Sequence, residues 1–393
     1  MPGEQADILI VGAGIAGCAA ALVLAERSKV VLIDRSATPA PRIGESLPSA
    51  ALRLLERLNL RQQFEAGGHL PSLGAASLWG SGVVTLRDGF NDPLGHAWTL
   101  DRVAFDAMFR DAVRSRRVRL IAPAHMSLLV RTSPGGSGWR AELRSSDMNL
   151  SLDARFLISA YGRGPLPAVI ATEAGPRVFD RLVCRFVKLP PQRASAVSGF
   201  SVVEAVEEGW WYQATLPDRH RILAYHTDAD LPSARSSCDA EGFRALLRNT
   251  HSLDVSSLPA SALPPDMPVF RTSARSQALA TCCGAGWCAV GDAAVAFDPL
   301  SSQGIFNALY TGDRGAETAL KALHGDATAL PAYGEHIAHI VRTYRANLDH
   351  YYGLEMRFRE NAFWERRRSS GKASALVPEI NGRRLETHDE TKQ

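Results

Sequence analysis

Residues 7–34 constrain this chain more than any other stretch. Asp7-Ile8-Leu9-Ile10-Val11 is a short apolar run rich in β-branched residues and predicts a buried parallel strand. Gly12-Ala13-Gly14-Ile15-Ala16-Gly17 follows at once, and the alanine-rich segment after it predicts a helix over 15–26. Lys29-Val30-Val31-Leu32-Ile33-Asp34 predicts a second strand that ends in an acid. Together these have the dimensions of a βαβ dinucleotide fingerprint. Gly12 permits the tight turn, Gly14 lets backbone approach a pyrophosphate, and Gly17 lets helix and strand pack closely. The N-terminus of the helix, from Ala13 through Ile15 and Ala16, faces the phosphates. Asp34, with Arg35 beside it, stands where a carboxylate accepts from ribose hydroxyls. A chance glycine turn in another α/β fold is the alternative, and the agreement of strand, helix, second strand and acid weighs against it.

A chain of 393 residues exceeds the ~250–300 at which one core stops growing, so more than one domain is expected. With 46% hydrophobic and 22% charged residues, disordered, collagen-like and coiled-coil classes are excluded. A net charge of +3 gives no electrostatic case for nucleic acid or an anionic membrane as partner. The apolar run 8–24 is broken by Gly12, Gly14 and Gly17, against a membrane span. The polar start 1–7 lacks signal-peptide order, and the cysteines show neither a CxxC nor zinc-finger spacing. A reduced, cytoplasmic protein with no metal site is the expectation.

Further along, 39–48 is expected to be a loop, followed by an amphipathic helix carrying Leu54, Leu55 and Leu58. Leu100-Asp101-Arg102 opens another helix, with Asp101 as cap and Phe105, Met108, Phe109 and Ala112 on its buried face. A meander is expected around 128–130 and 139–143, turning at Ser133-Pro134-Gly135-Gly136, before a core strand over 156–160. From 176 to 270 the character changes to strand runs at 182–189, 200–206, 210–215 and 221–226, interrupted by one helix over 240–249. This predicts a second, largely antiparallel sheet. The chain then returns to the first unit at 287–292, and helices over 304–323 and 333–359 close it, followed by a polar tail. The predicted class is α/β: a Rossmann-like domain from 1–175 with 271–330, an antiparallel substrate domain at 176–270, and a helical segment at 331–393.

The second informative stretch is Gly291-Asp292-Ala293-Ala294-Val295-Ala296-Phe297-Asp298-Pro299-Leu300-Ser301-Ser302-Gln303-Gly304. A strand ending in Gly-Asp, then a proline loop, then a glycine opening a helix offers a carboxylate and several N–H groups, which suit a polyol and a ring carbonyl. With the N-terminal fingerprint, this resembles the FAD-binding fold of the flavin-dependent monooxygenase and halogenase superfamily. The resemblance implies FAD held by Gly12, Gly14, Gly17, Asp34, Arg42, Arg102 and Asp292. It also implies that the loop through Pro299, Ser302, Gln303 and Gly304 borders the flavin. Guanidinium geometry suits Arg42 and Arg102 to ribose and pyrophosphate, with a solvated surface role as their alternative.

Arg42-Ile43-Gly44-Glu45-Ser46-Leu47-Pro48 looks like the loop shared by flavin-dependent halogenases and by flavoproteins that modify protein-derived quinone cofactors. Gly95-His96-Ala97-Trp98-Thr99-Leu100-Asp101-Arg102, Gly209-Trp210-Trp211-Tyr212-Gln213-Ala214-Thr215-Leu216-Pro217 and Phe363-Trp364-Glu365-Arg366-Arg367 resemble the second group, the LodB/GoxB/QhpG-like flavoproteins of tryptophylquinone biogenesis. Three departures separate the chain from other branches. The only lysines are Lys29, Lys188, Lys321, Lys372 and Lys392, so the lysine that halogenases place after this loop is missing. Nor does Trp210-Trp211-Tyr212 with Pro217 match their W-x-W-x-I-P motif. Ala160-Tyr161-Gly162-Arg163 stands where NAD(P)H-dependent hydroxylases carry a DG motif, which leaves either NAD(P)H or a separate flavin reductase as electron source.

The resemblance implies a monooxygenase that hydroxylates an aromatic ring, with a tryptophan of a precursor polypeptide as substrate. Rivals are a small indole or phenol hydroxylase, a halogenase, a non-catalytic flavin-bearing assembly factor and a plain NAD-dependent dehydrogenase. Such chemistry needs water excluded, a ring presented and one proton managed. Histidine suits the proton role. His69, His96 and His226 all lie in segments expected at the cleft, with His96 the first candidate, and a structural histidine is the alternative for each. Tyr212 joins His96 and His69 as a catalytic candidate. Trp79, Trp98, Trp210, Trp211 and Tyr212 either line an aromatic pocket or fill the sheet core.

Overall fold

The computed structural model describes residues 4–369, apart from 40–41, 90–93, 134, 146–148, 192–198, 252–263 and 265. The tail beyond 369 and Pro134 of the expected turn lie outside the described residues. The first sheet is built on parallel strands. Glu4–Val11 pairs with Asn149–Ser159 on one side and Val30–Ile33 on the other, and Arg119–Ile121 and Trp287–Ala289 extend it. His125–Arg131 and Trp139–Arg144 form the expected antiparallel meander on Asn149–Ser159. The helix Ile15–Leu24 is apolar almost all round, and all its residues but Val23 are buried, because it is covered on both sides. Its outer cover is the helix Gly304–Leu323, whose Gly312 lets the two backbones touch: a Cβ there would lie 2.5 Å from the Ala16 carbonyl oxygen.

The second sheet has seven strands, in the order Phe270–Ser273, Leu182–Leu189, Arg221–Asp228, Gly209–Thr215, Phe200–Val206, Gly74–Leu78 and Thr85–Asp88. It draws its last two strands from the N-terminal third of the sequence, and Gly74–Leu78 joins in parallel to Phe200–Val206. Sequence distance hid this pairing. Alternation along the strands splits the tryptophans: Trp211 packs with Tyr225 and Phe243 under the helix Ala240–Leu247, while Trp210 faces the other way.

A three-stranded patch, Ser46–Leu47, Trp98–Thr99 and Leu70–Pro71, fixes the loop before it. The final helices, Ala329–Leu354 and Ala362–Ser369, bury Tyr352, Phe363 and Trp364 against the second sheet. Among the described residues no helix is long and apolar enough to cross a membrane.

Candidate active site

The three fingerprint glycines do three different things. Gly12 has φ +109°, and a Cβ on it would sit 2.2 Å from the Ala160 carbonyl oxygen. At Gly17 a Cβ would sit 1.8 Å from the Gly12 oxygen, so helix and turn are in backbone contact. Gly14 is the opposite case: a Cβ there meets nothing within 4 Å and points into open space. That space is a cleft of about 1250 Å³. Gly12, Gly14, Ile15 and Ala16 form one end of its wall, with Asp34 and Arg35 beside them. Ala13 and Gly17 support this wall from behind.

Asp34 borders the cleft, but its carboxylate is already engaged. It accepts from the Ala13 N–H at 2.7 Å and the Ser36 N–H at 2.8 Å, and pairs with Arg110 at 3.1 Å. Arg110 is a site residue that sequence reasoning missed. Only 3% exposed, it donates to the Ala13 and Ser36 carbonyls and ties the fingerprint to the helix Arg102–Arg114. The signal was its spacing, since Arg102, Asp106 and Arg110 recur at i+4 along one face. Asp101 is the helix cap, accepting from the N–H groups of Val103 and Ala104. Arg102 donates to the Gly44 carbonyl at 2.6 Å and pairs with Asp106 at 3.1 Å; half-exposed Arg42 approaches the same carboxylate at 3.6 Å. Both arginines line the cleft, as do Gly44, Glu45 and Ser46.

The distant Gly-Asp pair reaches the same cleft. Gly291, at φ +59°, donates to Thr311 Oγ1 at 2.7 Å and stays behind the wall; Asp292 lines it. Arg163 from the Ala160-Tyr161-Gly162-Arg163 stretch holds Asp292 through Nε at 3.0 Å and donates to the carbonyls of Phe297 and Arg275. Pro299, Ser302, Gln303 and Gly304 continue the wall, and the twenty-residue helix Gly304–Leu323 starts there with its N-terminal N–H groups towards the cleft. Ser302 adopts φ +52°, a left-handed conformation unusual for a residue with a side chain, in a loop held by the Asp298 carboxylate.

The cleft continues onto the second sheet through Cys184, Phe186, Val203, Trp210, Tyr212 and His226. Trp210 stacks on His226 at 3.7 Å between centroids and 7° between planes. Trp210 Nε1 donates to the Tyr352 hydroxyl at 3.0 Å, which donates to Asp298 Oδ2 at 2.8 Å. A buried chain therefore links this wall to the loop at 298–304. Burial, reinforced by Asp180, pushes the Asp298 carboxyl up to about 6. Burial holds the Tyr212 phenol far above its ordinary range, so it stays protonated, and pushes His226 down to about 3, so its imidazole is neutral.

Of the three candidate histidines, only His226 lines the cleft. His69 is buried among Phe64 and Phe105, its Nδ1 accepting from the Asp101 N–H at 3.2 Å, and desolvation lowers its pKa. His96 leans on Trp98 at 4.6 Å outside the cleft. Of the three catalytic candidates His96, His69 and Tyr212, only Tyr212 lines the cleft. Trp79 packs on Tyr352 and Trp364, and Trp98 on Phe64. Of the five aromatic candidates, Trp210 and Tyr212 thus line the cleft, while Trp211 is buried in the core and Trp79 and Trp98 are half-buried away from it.

These residues suit FAD. An open glycine cradle and a second helix N-terminus lie on one continuous cleft, as an extended dinucleotide with a pyrophosphate in its middle requires. Among the described residues no cluster could hold a metal ion.

Comparison with known proteins points the same way. The FAD dependent oxidoreductase family model matches residues 7–52. LodB of Marinomonas mediterranea, assigned as an FAD-dependent oxidoreductase, is 28% identical over 374 residues, covering 93% of this chain and 97% of LodB. A tryptophan 2-halogenase of Chondromyces crocatus is 24% identical over 82% of this chain and 62% of its own. Among solved structures, the flavin-dependent halogenase CmlS superposes with a TM-score of 0.81 at 21% identity, over 93% of this chain and 68% of CmlS. QhpG, a peptidyl tryptophan dihydroxylase essential for tryptophylquinone cofactor biogenesis, gives 0.72 at 24% identity over 93% of this chain and 79% of QhpG.

Proposed function

We propose that this flavin-dependent oxidoreductase, similar to LodB over most of its length, hydroxylates an aromatic ring, and that the ring is a tryptophan side chain of a partner polypeptide on its way to a quinone cofactor. The observation that carries the reading is the continuity of one cleft from Gly14, past Asp292 and the 299–304 loop, to Trp210, Tyr212 and His226. Nucleotide-type and aromatic-type walls share one space, so a cofactor and a ring can meet there.

The glycine loop and its helix would hold the pyrophosphate, Asp292 the polyol chain, and the 299–304 and 44–46 loops the ring system. Bound and reduced, FAD supplies the activation of dioxygen. The chain's own residues do the rest. Trp210, Phe186 and Val203 desolvate the substrate ring and exclude water. Tyr212, protonated at any working pH, offers a donor. Phe270 stacks on Phe186 at 5.3 Å and is 47% exposed, giving this end an apolar opening suited to a side chain presented from outside. We favour hydroxylation over halogenation because, among the described residues, no lysine lines the cleft. With Arg163 where a DG motif stands in NAD(P)H-dependent relatives, we favour a separate flavin reductase over NAD(P)H as electron source. All six cysteines are free thiols, in keeping with a reducing, cytoplasmic setting.

The test is to co-express the protein with a candidate tryptophan-bearing partner, supply reduced flavin and oxygen, and weigh the partner. A gain of one or two oxygen atoms is expected. Turnover of a free indole or phenol with no change in any partner overturns the polypeptide reading. Halogen incorporation overturns hydroxylation, and absence of oxygen consumption with every substrate leaves an assembly factor.

A further inference from the structure

Two buried polar side chains of the cleft each leave one atom without a hydrogen-bond partner among the described residues. His226 is 3% exposed, and its Nδ1 has no hydrogen-bond partner among the described residues. The Trp210 backbone faces the same ring and favours its N–H. A neutral imidazole keeps one bare ring nitrogen with a lone pair. The parallel stack on Trp210 fixes the plane of the ring, and burial keeps it neutral, so it accepts and carries no charge. Glu45 is likewise 3% exposed, with Oε2 unpartnered. Its backbone is locked by the Leu100 N–H donating to the Glu45 carbonyl at 2.8 Å, and Gly44 and Glu45 N–H groups face the carboxyl. Arg102 is its charged neighbour. In either protonation state a carboxyl retains an acceptor oxygen.

The two acceptors share a compartment. Glu45 acts electrostatically on Cys184 and Tyr212, and Cys184 lies directly across from His226 in the strand pairing. The surrounding wall, Phe186, Val203 and Trp210, is apolar. An unpaired acceptor in such a place is costly unless a ligand donor completes it.

We propose that His226 and Glu45 are the specificity pair of this cleft: His226 Nδ1 accepts the ring N–H of an indole, and Glu45 Oε2 accepts a hydroxyl on the same ring. The site therefore selects neutral aromatic rings that bear donors and rejects analogues whose donors are methylated. This rests on the ring-hydroxylase reading above and narrows its substrate class.

The experiment titrates the flavin-loaded protein with indole, 1-methylindole, 5-hydroxyindole and 5-methoxyindole, following the flavin absorbance change. Each methylation is expected to weaken binding about tenfold or more. His226→Phe keeps an aromatic ring for the stack and should bring indole and 1-methylindole within about twofold, while the hydroxy/methoxy gap persists. Equal wild-type affinities for indole and 1-methylindole, or a gap that survives His226→Phe, overturn the role of His226. Equal affinities for the hydroxy and methoxy pair overturn that of Glu45. The two readings fail separately: intact discrimination with no oxygen transfer to any substrate sinks the hydroxylase and leaves the pair standing, and oxygen transfer without discrimination does the reverse.

Discussion

On the first-sheet wall of the cleft the working groups are largely backbone, with Asp292, Arg42 and Arg102 beside them: the turn at Gly12, the open cradle at Gly14 and the N-termini of two helices. On the second-sheet wall they are side chains, Trp210, Tyr212 and His226, aimed by strand alternation and held from behind by Tyr352 and Asp298. A backbone wall needs absent side chains at fixed spacing, and so leaves a mark in the sequence. A side-chain wall needs residues brought together from the strands 182–189, 209–215 and 221–228 and from the loop at 45, and leaves no local mark.

The comparison is broken most sharply at the glycines. Gly17→Ala should prevent folding, because its Cβ would fall 1.8 Å from a carbonyl oxygen that cannot move without the strand. Gly14→Val should fold, since its Cβ meets nothing, yet purify without flavin. Circular dichroism and the visible spectrum separate the two, and a yellow Gly14→Val protein would overturn the cradle. Next in size is Trp211→Ala. Its ring packs on Tyr225 and Phe243 away from the cleft, so urea unfolding should report a loss of about 3–5 kcal/mol with flavin retention unchanged. Tyr352→Phe leaves Trp210 Nε1 and Asp298 Oδ2 unpaired and should cost about 1–3 kcal/mol. It should also loosen indole binding, a readout that a purely structural role would leave unmoved.

The smallest effect is a pH slope. His226 titrates at about 3 in the folded chain against an ordinary 6.5, so the unfolded chain binds the extra proton in between, and stability falls as pH drops through that window. Asp298 titrates at about 6 against 3.8, so the folded chain binds the proton first, and stability rises as pH drops through its window. The two slopes oppose each other where the windows overlap. Asp298→Asn should uncover a steeper acid loss, and His226→Phe should flatten or reverse it, measured as urea midpoints across the overlap. Parallel pH profiles for both variants and the parent would contradict these assignments.

Much of the fold was legible in the sequence because hydrophobic periodicity is local. The strands Leu182–Leu189 and Phe200–Val206 and the helix Gly304–Leu323 fall where the pattern puts them. The pairing of Gly74–Leu78 with Phe200–Val206 was not legible, since nothing in either strand names a partner so distant in the chain. At the site, the glycine-lined wall of the cleft was largely legible, with Arg110 hidden inside an amphipathic helix. The histidines show the limit. His69, His96 and His226 look alike in sequence, and only packing sends the first among phenylalanines, the second against Trp98 and the third to the cleft.

The sequence by itself determined the backbone chemistry of the nucleotide wall, because a turn that admits no Cβ and a helix start behind it are written in consecutive residues. Only the tertiary structure decided which acid, histidine and aromatic rings meet across the cleft. Burial, stacking and unpaired lone pairs arise between residues far apart in the chain, and no spacing encodes them.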